Sequence, residues 1–151
     1  MLKDSDESPW GGRKPALGAS PANGPDLFDE AAIQDTKSML LAVRNETRDT
    51  ILGHAIRIAD RASTRRKGLL GRSKLDPGEG LWIVPCQGIH TWGMKFPIDV
   101  LYLDRKKTVR KLRRALRPWR VSICLWAHSV LELPAGMLDR TGTVKGDRLS
   151  W

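Results

Sequence analysis

His90, Asp99 and Glu132 are the side chains in this sequence best suited to hold a ligand or move a proton. An imidazole titrates near neutrality, and Thr91, Trp92 and Met94 follow His90 directly, as they would in the wall of a pocket floored by an aromatic ring. Asp99 interrupts the apolar run PIDVLYL and Glu132 interrupts VLELP. A carboxylate in such a strand needs a partner, because burying an unpaired charge is costly. Arg65, Arg66 and Arg72 are the natural ion-pair candidates. The two carboxyls with His90 could also form the acid/base set of a small hydrolase-like enzyme, although structural ion pairs explain them more simply.

A second pattern is the repeated spacing of Cys86 with His90 and Cys124 with His128, each pair four residues apart. Two cysteines and two histidines are the ligand types of a tetrahedral zinc site. On a strand, however, residues four apart lie about 13 Å from one another, so only a bend at Gln87 and Gly88 would close the first pair. No metal and no cofactor is expected. The P-loop, the dinucleotide fingerprint and the serine nucleophile elbow are all absent from the sequence, which argues against nucleotide enzymes.

The elements that must position these residues are short. Met39 to Arg44 and Ile51 to Ile58 read as strands around a turn at Asn45 to Thr47. Asp60 fits a helix N-cap before a short helix over Arg61 to Leu70, stopped by Gly71. Further strands are predicted at Leu81 to Val84, Ile89 to Trp92, Ile98 to Leu103, Val121 to Leu125, Ser129 to Leu133 and Thr143 to Leu149. Many short strands with one helix predict a mainly β sandwich or partly open barrel. The tryptophans of this region, Trp82, Trp92, Trp119, Trp126 and Trp151, are expected to be mostly core or rim packing.

Charge divides the chain in two. Residues 1–38 carry four basic and seven acidic side chains, a net of −3, and are rich in Gly, Pro, Ser and Ala, which reads as a disordered tail. Residues 39–151 carry 22 basic and ten acidic side chains, a net of +12, and form the single domain. Nine of the sixteen residues from Arg105 to Arg120 are basic and none is acidic. Val109, Leu112, Ala115, Leu116 and Trp119 recur there with helical spacing, so this run taken alone predicts a basic amphipathic helix. The sequence has no signal-peptide h-region and no apolar run of about 20 residues, so a soluble cytoplasmic protein with no membrane span is expected.

Four segments in order carry a family resemblance: Ala59 to Arg72 (ADRASTRRKGLLGR), Gly80 to Cys86 (GLWIVPC), Ile89 to Asp104 (IHTWGMKFPIDVLYLD) and Val130 to Gly136 (VLELPAG). Together with the closing Lys145 to Asp147 (KGD), they make the region from about Val43 to Trp151 resemble the bacterial domain of unknown function 192 family. The resemblance implies a compact jelly-roll-like β fold with a short helix and no assigned activity. It also implies that Val109 to Arg114 is the exposed strand of a hairpin, with Val109, Lys111 and Arg113 on one side and Arg110, Leu112 and Arg114 on the other. Cations on both faces suit an edge strand, where they deter edge-to-edge pairing.

The reading that follows is a non-catalytic module that binds an unidentified small molecule or protein through a pocket of His90, Thr91, Trp92, Met94, Asp99 and Glu132. Nucleic-acid binding through Arg105 to Arg120 is a less favoured alternative, and the hydrolase-like enzyme a third. Nothing in the pattern fixes an oligomeric state.

Overall fold

The computed structural model describes residues 39–151; the expected acidic tail, and any contact it makes with the domain, lie outside the described residues. Nine strands and two short helices follow one another in the order β1 (Leu41–Asn45), β2 (Thr50–Ala59), α1 (Ala62–Lys67), β3 (Glu79–Ile83), β4 (Gly88–His90), β5 (Ile98–Leu103), β6 (Val109–Leu116), β7 (Val121–Ile123), β8 (Ser129–Pro134), α2 (Met137–Thr141) and β9 (Leu149–Ser150). Seven strands make one curled, half-barrel sheet in the order β6-β5-β8-β3-β2-β1-β9. Its pairings are antiparallel except β2 with β3, which run parallel across the α1 connection. The remaining two, β4 and β7, pair as a separate antiparallel ribbon.

The mainly β expectation holds, with α2 as a second helix that the sequence reading lacks. All six residues of β5 are buried, as are the first five of β8, because the sheet is covered on both faces. Alternation along β5 sends Ile98, Val100 and Tyr102 into one core with Ile83, Ile89, Met94 and Val130. Leu101 and Leu103 enter a second core with Val43, Leu52, Ile56, Leu131 and Leu138. Burying each large side chain contributes about 1.5–3 kcal/mol, so β5 and β8, which feed both cores, anchor the molecule. Close packing of strands needs Gly80: a Cβ there would lie 2.7 Å from the Glu132 carbonyl oxygen and 2.6 Å from Ile56 Cδ1.

Helix α1 is shorter than expected. Arg61, not Asp60, occupies the N-cap, and its N–H donates to the Thr64 hydroxyl at 3.1 Å. Gly68, not Gly71, stops it with a φ of 48°. The strand expected over Thr143 to Leu149 is reduced to Leu149–Ser150, since most of that segment is a turn held by Asp147. The Asp147 carboxylate accepts from Asn45 Nδ2 (2.9 Å), Arg48 Nε (2.9 Å) and the Val144 N–H (3.0 Å), tying this turn to β1.

The basic run is a strand at the sheet edge, as the family resemblance implies and the helical spacing does not. The two-sided assignment needs correction. A register shift next to Val109 places it opposite Leu103, while Leu112 lies opposite Leu101, so both enter the same core. Lys111 and Arg113 face Tyr102 and Val100 on the other side. A bulged strand thereby reproduces the three-residue spacing of a helix.

Candidate functional site

A cleft of about 510 Å3 lies between α1, the segment from Pro85 to His90 and the sheet. Its walls are apolar where Ile83, Ile89 and Met94 line it, and cationic where α1 contributes Arg65, Arg66 and Lys67. These three cations stand in the last turn of the helix, where the backbone dipole favours them. Glu132 is the acidic side chain lining this cleft. It is delivered by β8, opposite Leu81 on one side and Val100 on the other, and is 4% exposed.

Glu132 is a buried carboxyl with an orphaned oxygen. Among the described residues its Oε2 has no hydrogen-bond partner. Burial pushes its pKa up to about 8, so the neutral acid prevails at neutral pH. Leaving such a group unsatisfied costs about 1–3 kcal/mol, which a strand built for stability alone would avoid with leucine. Around it sit further polar groups: Cys86, which the sequence reading singled out only for its spacing from His90, and Tyr102 and Ser122, which it missed. The Cys86 Sγ–H donates to the Gly88 carbonyl at 3.2 Å, and burial pushes this thiol up, with Glu132 adding to the effect and Arg65 opposing it. A thiol held protonated is not a nucleophile. The Tyr102 hydroxyl is pushed up to about 12, chiefly by burial. It faces Ser122, yet neither oxygen reaches hydrogen-bond geometry. In sequence, Tyr102 and Ser122 each stand between apolar neighbours, the same signal that picked out Asp99 and Glu132.

Of the six expected pocket residues, His90, Met94 and Glu132 line the cleft. Thr91 is fully buried and structural: its hydroxyl donates to the Arg117 carbonyl at 2.7 Å and accepts from the Arg120 N–H at 2.9 Å. Trp92 points to solvent, 53% exposed, and stacks on His90 with ring centroids 5.1 Å apart. His90 itself is exposed at the cleft rim.

Asp99 is on the opposite face of the sheet. Its carboxyl accepts the Ala115 N–H and the Leu138 N–H, both at 2.8 Å. Two backbone donors therefore satisfy it, and none of the expected arginines does. Arg72 instead bonds Glu79 at 2.6 Å, which holds the Glu79 carboxyl below its usual range. Arg65 donates to the Asp60 carbonyl, and Arg66 is exposed on α1. With the sheet between them, Asp99 and Glu132 cannot act on one substrate, which removes the hydrolase-like acid/base pair. No group of three or more metal-ligating side chains occurs among the described residues, and the two Cys–His pairs do not form one. Cys86 and Cys124 are free thiols packed in the first core.

The family model DUF192, "Uncharacterized ACR", matches residues 41–151, and the chain belongs to that family. A UPF0127 protein of Thermococcus sibiricus is 31% identical over 116 residues, covering 71% of this chain and 72% of that protein. That relative is archaeal, so the family is not confined to bacteria. A crystal structure of a protein of unknown function from Novosphingobium aromaticivorans superposes with a TM-score of 0.67 at 20% identity, covering 93% of this chain and all of that one. A second, of a candidate transcription regulator from Sinorhizobium meliloti, gives a TM-score of 0.64 at 24% identity over 72% of this chain and 89% of that one. These two likenesses concern the fold alone.

Proposed function

We propose that this protein is a non-catalytic binding module whose cleft takes a small molecule with a hydrogen-bonding group at its inner end and an anionic group at its mouth. The observation that carries this reading is the unpartnered Oε2 of Glu132 at the inner end of an apolar cleft. A neutral carboxyl can donate and accept, so it matches an amine, amide or hydroxyl on the ligand. Arg65, Arg66 and Lys67 line the same cleft and suit a carboxylate or phosphate there. His90 and Met94 complete the wall, while Trp92, Thr91 and Asp99 take no part.

Thermal unfolding of the full chain in the presence of small amino- and hydroxy-carboxylates and -phosphates tests the proposal. An excess of a matching ligand is expected to raise Tm by about 3 °C or more. Glu132→Leu is expected to abolish that rise while unfolding at the same or a higher temperature, because it removes an unsatisfied buried oxygen. A panel without effect, or a shift that survives Glu132→Leu, overturns the reading. The alternative of a polyanion lying along Arg105 to Arg120 is weaker, since Arg110 and Arg114 are already paired with Asp104 and Asp139.

A further inference from the structure

β4 walls the cleft, but its partner in the ribbon, β7, presents apolar side chains to solvent. In β7, Ser122 faces inward and is buried, whereas Val121 and Ile123 face outward and are 56% and 52% exposed. Leu125 and Trp126 extend this outer surface at one end, and Trp126 is the most exposed large apolar side chain described, at 84%. Trp119 stands at the other end with a φ of 61°, a conformation unusual for so bulky a residue. Thr91 fixes it there: the Trp119 N–H donates to the Thr91 carbonyl at 3.0 Å, and the Arg120 N–H to the Thr91 hydroxyl. The buried Thr91 thus maintains a strained turn that holds an indole outside the core.

Cations flank both indoles. Arg117 and Arg120 adjoin Trp119, and neither has a salt-bridge partner among the described residues. At the other end a recess is lined by Arg105, Lys106, Leu125, Trp126 and His128. Asp104 also lines it, but its carboxylate is engaged by the Lys106 and Thr108 N–H groups and by Arg110. From Arg105 to Leu131 the chain has nine basic and no acidic residues. Only Val121–Ile123 is strand between them: Trp119 stands in the bend before β7, and Leu125 and Trp126 in the turn after it.

We propose that this face seats the protein on an anionic lipid bilayer. Indoles prefer the headgroup level of a membrane, aliphatic side chains the acyl boundary beneath it, and Arg and Lys the lipid phosphates, which is the order of chemistry found along this strip. Val121, Ile123 and Leu125 would gain nothing from a nucleic-acid backbone. A second copy of the chain is disfavoured by charge, because the domain carries a net of +12 and the Asp104 carboxylate at this face is already engaged within the chain. The proposal is independent of the cleft and of what the cleft holds.

Vesicles of phosphatidylcholine alone, and with about one third phosphatidylglycerol, test it with the full chain. Partitioning onto the anionic vesicles is expected to exceed that onto neutral ones by about tenfold or more and to fall as salt rises. Tryptophan emission should shift to the blue and be quenched by brominated acyl chains. The pair Leu125→Ser and Trp126→Ser, made together at exposed positions, should lower partitioning about tenfold at unchanged Tm. Equal affinity for both vesicle types overturns the proposal. So does anionic binding without acyl-chain quenching, or binding that the double variant leaves intact, since either is surface adhesion by charge alone. Sedimentation showing a dimer that the same double variant dissociates would assign the face to self-association instead. Binding to duplex RNA or DNA in the absence of vesicle binding would assign it to nucleic acid.

Discussion

Glu132 is where residue-scale physics departs most from what a stable β domain needs. The carboxyl is ordinary in sequence and costly in place, because apolar neighbours from β3, β5 and β8 remove its water and leave Oε2 unpartnered. This has a pH signature. In the folded chain the group holds its proton up to about 8, while the unfolded chain releases it near the ordinary value of 4.5. The folded state therefore binds the extra proton between those limits. Stability from this group is full below about 4.5, declines as pH rises, and levels off above about 8. The decline approaches about 1.4 kcal/mol per pH unit for one proton. Glu132→Gln cannot ionise, so urea unfolding is expected to show the variant gaining on the native protein between about pH 5 and about pH 8. Parallel pH profiles would place the ionised form in the folded state.

At the scale of elements, Asp99 joins three pieces that no local signal connects. It sits on β5, accepts the N–H of Ala115 at the irregular end of β6, and accepts the N–H of Leu138 in the first turn of α2. The N-cap of α2 is Gly136, which has no side chain to offer, so the capping oxygen comes from a strand 39 residues away. Ala115 adopts a φ of 44° there, and the Asp99 contact fixes that kink. Asp99→Ala is expected to cost about 3 kcal/mol in chemical denaturation, because two backbone donors lose their acceptor. Amide exchange should quicken chiefly in α2 and at the end of β6. An effect below about 1 kcal/mol would mean that water replaces the carboxyl at both sites.

For the whole molecule, the two cores draw on residues from Val43 to Leu149, one on each side of a sheet whose central strands serve both. We therefore propose that residues 39–151 are an autonomous unit. A chain starting at Met39 should unfold in one cooperative transition within about 3 °C of the full chain. A larger loss of Tm would show that residues 1–38 pack on the domain. No helix among the described residues is long and apolar enough to cross a membrane.

Strand identity was legible because alternation and turn residues are local properties: Ile98 to Leu103 and Ser129 to Leu133 are read correctly from apolar runs bounded by Pro, Asp and Gly. The pocket expected over His90 to Met94 was legible only in part, since His90 and Met94 line the cleft and Thr91 and Trp92 do not, and Glu132 was legible as a carboxyl that needs explaining. Which side of the sheet each residue faces was not legible, because that depends on which elements cover each face. Asp99 and Glu132 look alike in sequence, yet the fold gives one two backbone donors and buries the other with an oxygen unpartnered among the residues that line the cleft. The tryptophans show the same limit. Trp82 and Trp151 pack edge to face at 4.9 Å, while Trp92, Trp119 and Trp126 remain in solvent. Sequence alone thus determined the strands, the charge and the family pattern, all set by neighbours along the chain. The tertiary structure decided burial, partners and the orphaned oxygen, because desolvation depends on neighbours in space.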